Sequence, residues 1–399
     1  MKTPGNFEVA VVGGGAAGMT AAISAARSGA SVVVLERMPK PGKKVLATGA
    51  GRCNLSNAKL DASFYNPEAR ALVESVFKCF GPSDILDFFR ELGLEFFQAA
   101  DGRIFPVTDQ AASVVEVLEI ELARLGVTVE CQAEAERLIF REGSWKVQTK
   151  GGRHWEASRV ILCGGGKSYP ALGSDGSAYA LAAGCGHTLI TPVPGTVPLA
   201  VSDPWCHLLQ GQRLDVQLTS MIEGKPVRTV PGEMLFTKYG LSGTAVLDAS
   251  DEISTAIHRR NVKDIRLVAD LVPFLSEEKL REELSRRKGR GFPKEKFLTG
   301  LLPPKFGPLL AKEFEAGGID RLARLLKART FTVTGTRGWN EAEFTAGGID
   351  ASEVTPGTLE SKKQKGLYLA GEILDVNGRR GGYNLAWAWA SGFVAGKTL

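Results

Sequence analysis

Residues 7–36 carry the stretch FEVAVVGGGAAGMTAAISAARSGASVVVLE. Its apolar run at 7–12 stops at glycines, which is typical of a buried parallel strand. The alanine-rich residues 16–29 predict a helix that Gly29 closes, and residues 30–36 predict a second buried strand. These three elements form one βαβ unit, so the stretch predicts an α/β fold built on a parallel sheet.

The glycines of this unit have the spacing of a dinucleotide-binding turn, Gly13-x-Gly15-x-x-Gly18, and Glu36 ends the second strand. Gly13 permits the tight turn, Gly15 lets a pyrophosphate approach the backbone, and Gly18 lets the helix pack closely on the strand. The helix N-terminus attracts an anion. Because the Glu36 carboxylate can accept hydrogen bonds from ribose hydroxyls and would repel a 2′-phosphate, the turn favours FAD or NAD over NADP.

The overall composition indicates a soluble globular protein of more than one domain. Of 399 residues, 44% are hydrophobic and 23% are charged, and 49 basic against 44 acidic residues give a net charge of +5. This length predicts two or three domains. No long uncharged apolar run appears, and a strand and glycine turn follow the first residues at once, so we expect neither a membrane span nor a signal peptide.

The cysteines and histidines are scattered along the chain. The six cysteines are Cys53, Cys79, Cys131, Cys163, Cys185 and Cys206. None forms a CxxC pair, so the sequence predicts neither a disulfide framework nor a metal site. Free thiols and a cytoplasmic location fit this pattern best.

Changes in sequence character predict the domain boundaries. Residues 1–190 form the first part of the dinucleotide-binding domain, and short alternating segments at 191–275 predict an inserted antiparallel barrel. Charged helical patterns at 276–332 predict a small helical domain. Residues 333–399 return to the barrel edge and then regain βα character, so the first domain is built from both chain ends.

The C-terminal stretch GLYLAGEILDVNGRRGGYNLAWAWASG, residues 366–392, favours a flavoprotein over a nicotinamide-only dehydrogenase. It predicts a buried strand, then Gly371 and Glu372, then a glycine loop and a helix starting near Asn384. The acid can hold a ribityl hydroxyl, and the helix N-terminus can point N–H groups at the pyrimidine edge of a flavin, where reduction adds negative charge.

The sequence resembles the bacterial aminoacetone-oxidase-like flavoproteins, a family with a bile-acid-reductase branch. The stretches that carry the resemblance include TGAGRCNLSN, GRIFPVTDQA, GEMLFTKYGLSG, FTAGGI and the C-terminal stretch above. Together they cover nearly the whole chain. The resemblance implies an FAD-dependent oxidoreductase with a glutathione-reductase-type Rossmann-like domain, an inserted β-barrel and a small helical domain. It leaves open NAD(P)H as a transient electron donor.

The resemblance also implies the residues that bind FAD. Gly13, Gly15, Gly18 and Glu36 are assigned to the ADP half and Ala135 to the adenine region, and Ala17 and Arg37 are counted as cofactor-binding. Those assigned to the ribityl chain and flavin are Thr48, Gly49, Gly51, Arg52, Cys53, Asn54, Gly371, Glu372, Asn384 and Leu385, with Gly164 and Gly165 also counted as cofactor-binding. Two positions depart from the family pattern: Gly166 is a third glycine before SYP, and Ala50 stands inside GAGRCN.

The catalytic group is not fixed by the sequence. Tyr169, Tyr383 and Arg52 are the candidates for the substrate face or a proton donor, although packing is the favoured interpretation for both tyrosines. Cys53 is interpreted mainly as a residue packed near the flavin ring. A redox-modulating role and direct participation in turnover are the alternatives, because Arg52 is adjacent and thiolate formation depends on local charge.

Two function classes stay open. The first is hydride transfer between flavin N5 and a small organic substrate. The second is an RNA-modifying or non-catalytic FAD-binding protein, suggested by the basic run at 258–296. Acidic residues alternate with that run, so a solvated helical face is favoured and a nucleic-acid partner is not expected. The oligomeric state is left open.

Overall fold

The computed structural model describes residues 6–397. Residues 1–5 and 398–399, where the predicted first and last domain segments begin and end, lie outside the described residues. The chain divides into two compact units. Unit 1 contains the residues up to Pro192 and those from Phe344 onward, and unit 2 is Val193–Glu343.

The strands of the described chain are, in order, β1 (Asn6–Val12), β2 (Val32–Glu36), β3 (Ser56–Asn57), β4 (Phe96–Gln98), β5 (Arg103–Pro106), β6 (Thr128–Cys131), β7 (Ala135–Arg141), β8 (Ser144–Thr149), β9 (His154–Leu162), β10 (Leu189–Gly195), β11 (Leu199–Val201), β12 (Arg213–Ile222), β13 (Lys225–Thr237), β14 (Gly240–Ser242), β15 (Ile265–Asp270), β16 (Arg329–Thr336), β17 (Phe344–Ile349) and β18 (Leu367–Leu369). The helices are α1 (Ala16–Arg27), α2 (Lys43–Ala47), α3 (Arg70–Cys79), α4 (Pro82–Glu91), α5 (Ala111–Arg124), α6 (Ser177–Gly184), α7 (Pro204–Leu208), α8 (Thr244–Asp248), α9 (Ser250–Arg260), α10 (Glu277–Gly289), α11 (Gly307–Lys327) and α12 (Tyr383–Lys397). None of these helices is long and apolar enough to cross a membrane.

The main sheet of unit 1 has the strand order β6-β2-β1-β9-β8-β7, and β18 also pairs with β9. The pairs β6–β2, β2–β1, β1–β9 and β9–β18 are parallel. Strands β7 and β8 extend β9 as an antiparallel meander. Because parallel strands share a direction, the carboxyl ends of β1, β2, β9 and β18 lie at one edge of the sheet. The α/β fold expected from the sequence is confirmed.

Helices α1 and α12 touch through their backbones inside unit 1. A Cβ atom on Gly392 would lie 2.2 Å from the Ala17 carbonyl oxygen, and one on Gly396 would lie 2.3 Å from that of Ala21. Two buried indoles also anchor α12: the Trp387 N–H donates to Gly371 O and the Trp389 N–H to Leu55 O, each at 3.1 Å. Both tryptophans thus pack the last helix against the rest of unit 1.

Unit 2 contains a closed barrel with the strand order β11-β14-β13-β12-β15-β16. The alternating segments of the sequence supply most of its strands, and β16 closes it. Leu280 and Leu284 of α10 and Leu322 of α11 are buried in the same cluster as Phe236 and Phe331 of the barrel. The helical segment expected at 276–332 therefore shares its core with the barrel.

The loop after α2 has an unusual backbone. Gly49, Ala50, Gly51 and Cys53 all have a positive φ, of 59°, 57°, 88° and 59°. Glycine adopts this left-handed region freely, whereas an L side chain is strained there. Ala50 is exposed and Cys53 is buried, so the fold holds two strained residues in this one short loop.

We expect Gly392→Ala to lower the free energy of unfolding by about 2 kcal/mol, because the new methyl group forces α12 away from α1. This cost exceeds the gain of about 1 kcal/mol that alanine brings to a helix. Gly184→Ala, at the end of α6, is the matched control, since nothing lies within 4 Å of the Cβ position there. Urea unfolding should show destabilisation in the first variant and slight stabilisation in the second. Equal effects would contradict the backbone contact.

We expect Ala50→Asn to raise the free energy of unfolding by about 0.5–1 kcal/mol, because asparagine tolerates the left-handed region better than alanine. Ala47 is the control: it is also exposed but has φ −89° and ψ −14°, so Ala47→Asn should bring no gain. Thermal unfolding of the ligand-free protein measures both. A loss of stability in Ala50→Asn would mean that the loop backbone is not held as described.

Candidate active site

The candidate site lies at the edge of the unit 1 sheet where four parallel strands end. Gly13, Glu36, Gly164 and Gly371 stand at or just beyond the ends of β1, β2, β9 and β18. A Cβ atom on Gly13 would lie 2.5 Å from Cys163 O and 3.1 Å from Gly164 Cα. The fold thus brings together residues from both ends of the chain, at the edge where open α/β sheets bind ligands.

The glycine turn after β1 leaves the start of α1 open. Gly13 has a φ of 104°, and a Cβ atom on Gly18 would lie 1.8 Å from Gly13 O, so both positions require glycine. No described atom lies within 4 Å of the Cβ position of Gly15, which is the N-cap of α1. Because no side chain caps this end and its first turn carries no acid, its N–H groups suit a phosphate anion.

Glu36 is held by the backbone at the end of β2. Its two carboxylate oxygens accept hydrogen bonds from the N–H groups of Gly14, at 2.6 Å, and Met38, at 2.7 Å. Burial raises the pKa of Glu36, although these two donors act in the opposite direction. Each carboxylate oxygen keeps a further lone pair. The group can therefore accept ribose hydroxyls while its orientation stays fixed.

The next residues close the side of the site next to Glu36. Arg37 forms ion pairs with Asp175 at 2.5 Å and with Glu134 at 3.6 Å. The N–H of Ala133 donates to Glu36 O at 2.9 Å, which brings the segment leading into Ala135 beside the end of β2. Ala17 is the second residue of α1, and its Cβ would lie 2.7 Å from a Cβ on Gly371.

The loop 48–54 folds back on itself and meets the glycine loop before α12. The Cys53 N–H donates to Thr48 O at 3.0 Å, which closes the turn around Gly49 and Gly51. Asn54 Oδ1 is buried and has no hydrogen-bond donor among the described residues. A Cβ atom on Gly382 would lie 2.9 Å from this oxygen, so the unpartnered acceptor faces the start of α12.

Two of the residues predicted to bind the cofactor lie at the N-terminus of α12. The side chain of Asn384 accepts the Gly378 N–H and donates to Gly378 O, both at 2.8 Å. Leu385 is half-buried in the same first turn. These contacts fix the glycine loop, while the first N–H groups of a helix have no partner within the helix.

The candidate catalytic side chains are in three different environments. Tyr383 is buried and stacks on Phe64, with ring centroids 4.6 Å apart. Tyr169 is half-buried with a left-handed backbone, φ 55°. The Arg52 guanidinium lies 4.3 Å from the centroid of the Phe105 ring and pairs through Nε with Asp109 at 2.5 Å. Its terminal nitrogens contact no acceptor within residues 6–397 and can bind a substrate oxygen.

Glu372 has a set of partners that sequence reasoning missed. Its carboxylate pairs with Lys44 Nζ at 2.5 Å and accepts the Ser168 hydroxyl at 3.2 Å and the Thr345 N–H at 2.8 Å. All three residues lie in or near the stretches that carry the family resemblance, but no local sequence pattern marks them as partners of one acid.

His187 is buried and is held by two side chains. Its ring nitrogens contact Glu353 at 3.0 Å and Ser361 at 2.7 Å, and burial lowers its pKa. Within residues 6–397 no cluster of three or more His, Cys, Asp or Glu side chains could hold a metal ion.

The residues at this edge fit FAD. The open start of α1 suits the pyrophosphate, and Glu36 suits the ribose. Asn54 Oδ1 and Ser174 Oγ are buried polar atoms with no partner in the described protein. Ser174 Oγ would lie 3.1 Å from a Cβ on Gly165, so bare backbone at 165 leaves room beside it. Buried polar atoms normally have partners, and hydroxyl-rich ligands supply them.

Comparison with known proteins agrees with this assignment. The 3-dehydro-bile acid delta(4,6)-reductase of Clostridium scindens is 40% identical over 98% of both chains. The ribosomal RNA dihydrouridine synthase of Haemophilus influenzae is 29% identical over 98% of this chain and 97% of its own.

Among solved structures, the 3-ketosteroid-delta4-(5alpha)-dehydrogenase of Rhodococcus jostii is similar with a TM-score of 0.50 and 16% identity, covering 98% of this chain and 96% of that one. At this identity the likeness shows the fold alone. The family model described as "HI0933-like protein Rossmann domain" matches residues 7–398. The resemblance found in the sequence is thereby confirmed, and the chain belongs to the HI0933-like Rossmann-domain family.

Proposed function

We propose that this FAD-dependent oxidoreductase reduces a carbon–carbon double bond conjugated with a carbonyl group in a small organic molecule. The observation that carries the proposal is the 40% identity, across 98% of both chains, to a reductase named for two double bonds of a 3-oxo steroid acid. The relative named for dihydrouridine forms its product by saturating a ring double bond that is also conjugated with a carbonyl. One reaction type thus accounts for both names.

In this proposal the site residues hold FAD in three groups. The turn Gly13–Gly18 and the start of α1 bind the pyrophosphate, and Glu36 binds the ribose hydroxyls. The loop 48–54, Glu372 and the start of α12 surround the ribityl chain and the flavin. When bound, FAD supplies hydride transfer through its flavin ring. The α12 N-terminus places positive potential where reduction adds negative charge.

Arg52 is the residue we assign to the substrate carbonyl. Its stacking on Phe105 and its pairing with Asp109 through Nε orient the guanidinium, and its terminal nitrogens stay available to an oxygen. Hydrogen bonds to a carbonyl oxygen polarise the conjugated double bond and stabilise the charge that develops on hydride addition. Tyr383 has no comparable access, because its ring is buried against Phe64.

NAD(P)H is the proposed electron donor. The sequence has only one dinucleotide-binding fingerprint, at Gly13–Gly18, and this turn is assigned to FAD. A nicotinamide would therefore have to reach the flavin without a second domain of its own.

The second candidate function, reduction of uridine in RNA, is favoured by the relatives of 28–29% identity that carry that name. The electrostatics of the basic run at 258–296 weaken it. Several of its cations are paired with carboxylates: Arg266 with Asp264, Arg281 with Glu277 and Asp320, Arg286 and Arg287 with Glu283, and Lys294 with Glu315. Paired cations release fewer counterions on binding a phosphate backbone, so they contribute less affinity for RNA.

An anaerobic titration tests the function directly. We expect the purified protein to show flavin bands, to bleach with NADH or NADPH, and to regain its bands on addition of a 4,6-dien-3-one bile acid. A uridine-rich ribosomal RNA fragment at equal concentration should not restore them. Reoxidation by the RNA alone would move the assignment to the second candidate. Absence of flavin bands after FAD is added would contradict both.

Cys53 has the environment of a packing residue and not of a redox thiol. Its side chain is fully buried, and burial raises its pKa to about 12 against the opposing hydrogen bond from Thr48. A thiol is nucleophilic only as thiolate, and no described cysteine is disulfide-bonded.

We therefore expect Cys53 to resist alkylation by iodoacetamide at pH 8, where its thiolate fraction is negligible, while the exposed Cys79 reacts. Peptide mass mapping after a timed reaction measures both sites in the same sample, so Cys79 serves as the internal control. Modification of Cys53 as fast as Cys79 would show an accessible thiolate and reopen a role for it in turnover.

A further inference from the structure

We infer that Lys44 is a positioning residue that cancels the charge of Glu372 beside the flavin, and that this pair helps to set the reduction potential of the cofactor. The inference rests on the proposed function, because it takes Glu372 to lie at the flavin end of FAD. It concerns a residue to which neither the sequence patterns nor the relatives' names give a role.

The partners of Glu372 come from three distant segments. Lys44 lies on α2, Ser168 follows β9, and Thr345 lies on β17. Lys44 Nζ contacts both Glu372 Oε2, at 2.5 Å, and Ser168 Oγ, at 2.7 Å. The hydroxyl of Ser168 in turn reaches Glu372 Oε1 at 3.2 Å. The cation, hydroxyl and carboxylate therefore form a closed triangle that fixes the carboxylate plane.

The carboxylate has little capacity left. Glu372 Oε1 accepts from both Ser168 and the Thr345 N–H, which uses its two lone pairs. Glu372 Oε2 accepts only from Lys44 among the described residues, so one acceptor position remains there. The acid can thus bind a single hydroxyl of a ligand, and Lys44 determines which direction that position faces.

The third glycine before SYP is part of the same structure. A Cβ atom on Gly166 would lie 2.4 Å from Thr345 Oγ1 and 3.0 Å from Glu372 Cδ. Thr345 Oγ1 also accepts the N–H groups of Lys167, at 2.7 Å, and Ser168, at 3.2 Å. Any side chain at 166 would displace Thr345 and the acid. The departure from the family pattern is therefore a requirement of this network.

The charge of the pair matters because reduction adds negative charge to the flavin. An unpaired carboxylate nearby would oppose that change, and a cation nearby would favour it. The side chains of Lys44 and Glu372 are only 22% and 21% exposed, so water screens them less than it screens a surface pair. The adjacent Lys43 forms no ion pair within residues 6–397, which makes it a matched control.

The test compares five variants that remove a positive charge, remove a negative charge, remove both, or keep the charge. We expect Lys44→Met to make the equilibrium constant for reduction of bound FAD about tenfold less favourable. For a two-electron couple this lowers the midpoint potential by about 30 mV. Glu372→Gln should shift it upward by a similar factor. The double variant should return close to the wild-type potential, because the local charge is again zero. Lys43→Met should leave the potential unchanged.

Spectroelectrochemistry measures the potentials, and quenching of FAD fluorescence measures cofactor affinity. Lys44→Arg keeps the charge and should also keep the wild-type potential. Potential shifts in the same direction in Lys44→Met and Glu372→Gln, or no shift in either, would overturn the inference. The proposed function would still stand if the protein bound FAD and were reduced by NAD(P)H. A wild-type protein that binds no FAD would overturn both. Should Lys44→Met fail to fold, the Glu372→Gln and double variants still decide the sign.

Discussion

The site depends on the close approach of backbones around α1. A Cβ atom on Gly18 would overlap Gly13 O, and one on Gly392 would lie 2.2 Å from Ala17 O. Helix α1 is therefore pressed against the turn after β1 on one side and against α12 on the other. Gly392 and Gly396 meet Ala17 and Ala21 in that order, so α1 and α12 run in the same direction and their positive N-terminal ends point the same way. Helix α12 begins nine residues before Gly392, so its start lies roughly 13 Å beyond the start of α1. One packing constraint thus supplies two anion-attracting helix ends, although one comes from each end of the chain.

The charges at this edge follow a consistent pattern. Glu36 is satisfied by the backbone N–H groups of Gly14 and Met38 and remains an acceptor for hydroxyls. Glu372 is instead neutralised by the cation of Lys44. Under the proposed function Glu36 lies at the ribose and Glu372 near the flavin, where a cation beside the acid would favour the negative charge that reduction adds.

The sequence predicts those parts of the site that local spacing encodes. The turn Gly13–Gly18, Glu36 and the helix after Gly382 are each recognisable because one short segment contains the whole pattern. The Lys44–Glu372 pair is not, because its members are 328 residues apart and a lysine–glutamate pair has no local signature. For the same reason the helices at 276–332 look like a domain of their own: their charged faces are visible in the sequence, but the barrel core that Leu280 and Leu322 share is not.

The unpartnered atoms and the strained loop lower the stability of the ligand-free fold. A buried acceptor without a donor costs about 1–3 kcal/mol, and Asn54 Oδ1 and Ser174 Oγ are two of them. The strained backbone at Ala50 and Cys53 adds about 1–3 kcal/mol for each residue. A fold selected for stability alone would remove these costs by exchanging a few side chains. A ligand with hydroxyls and phosphates would offset these costs, because any ligand that binds only the folded state raises the stability of that state.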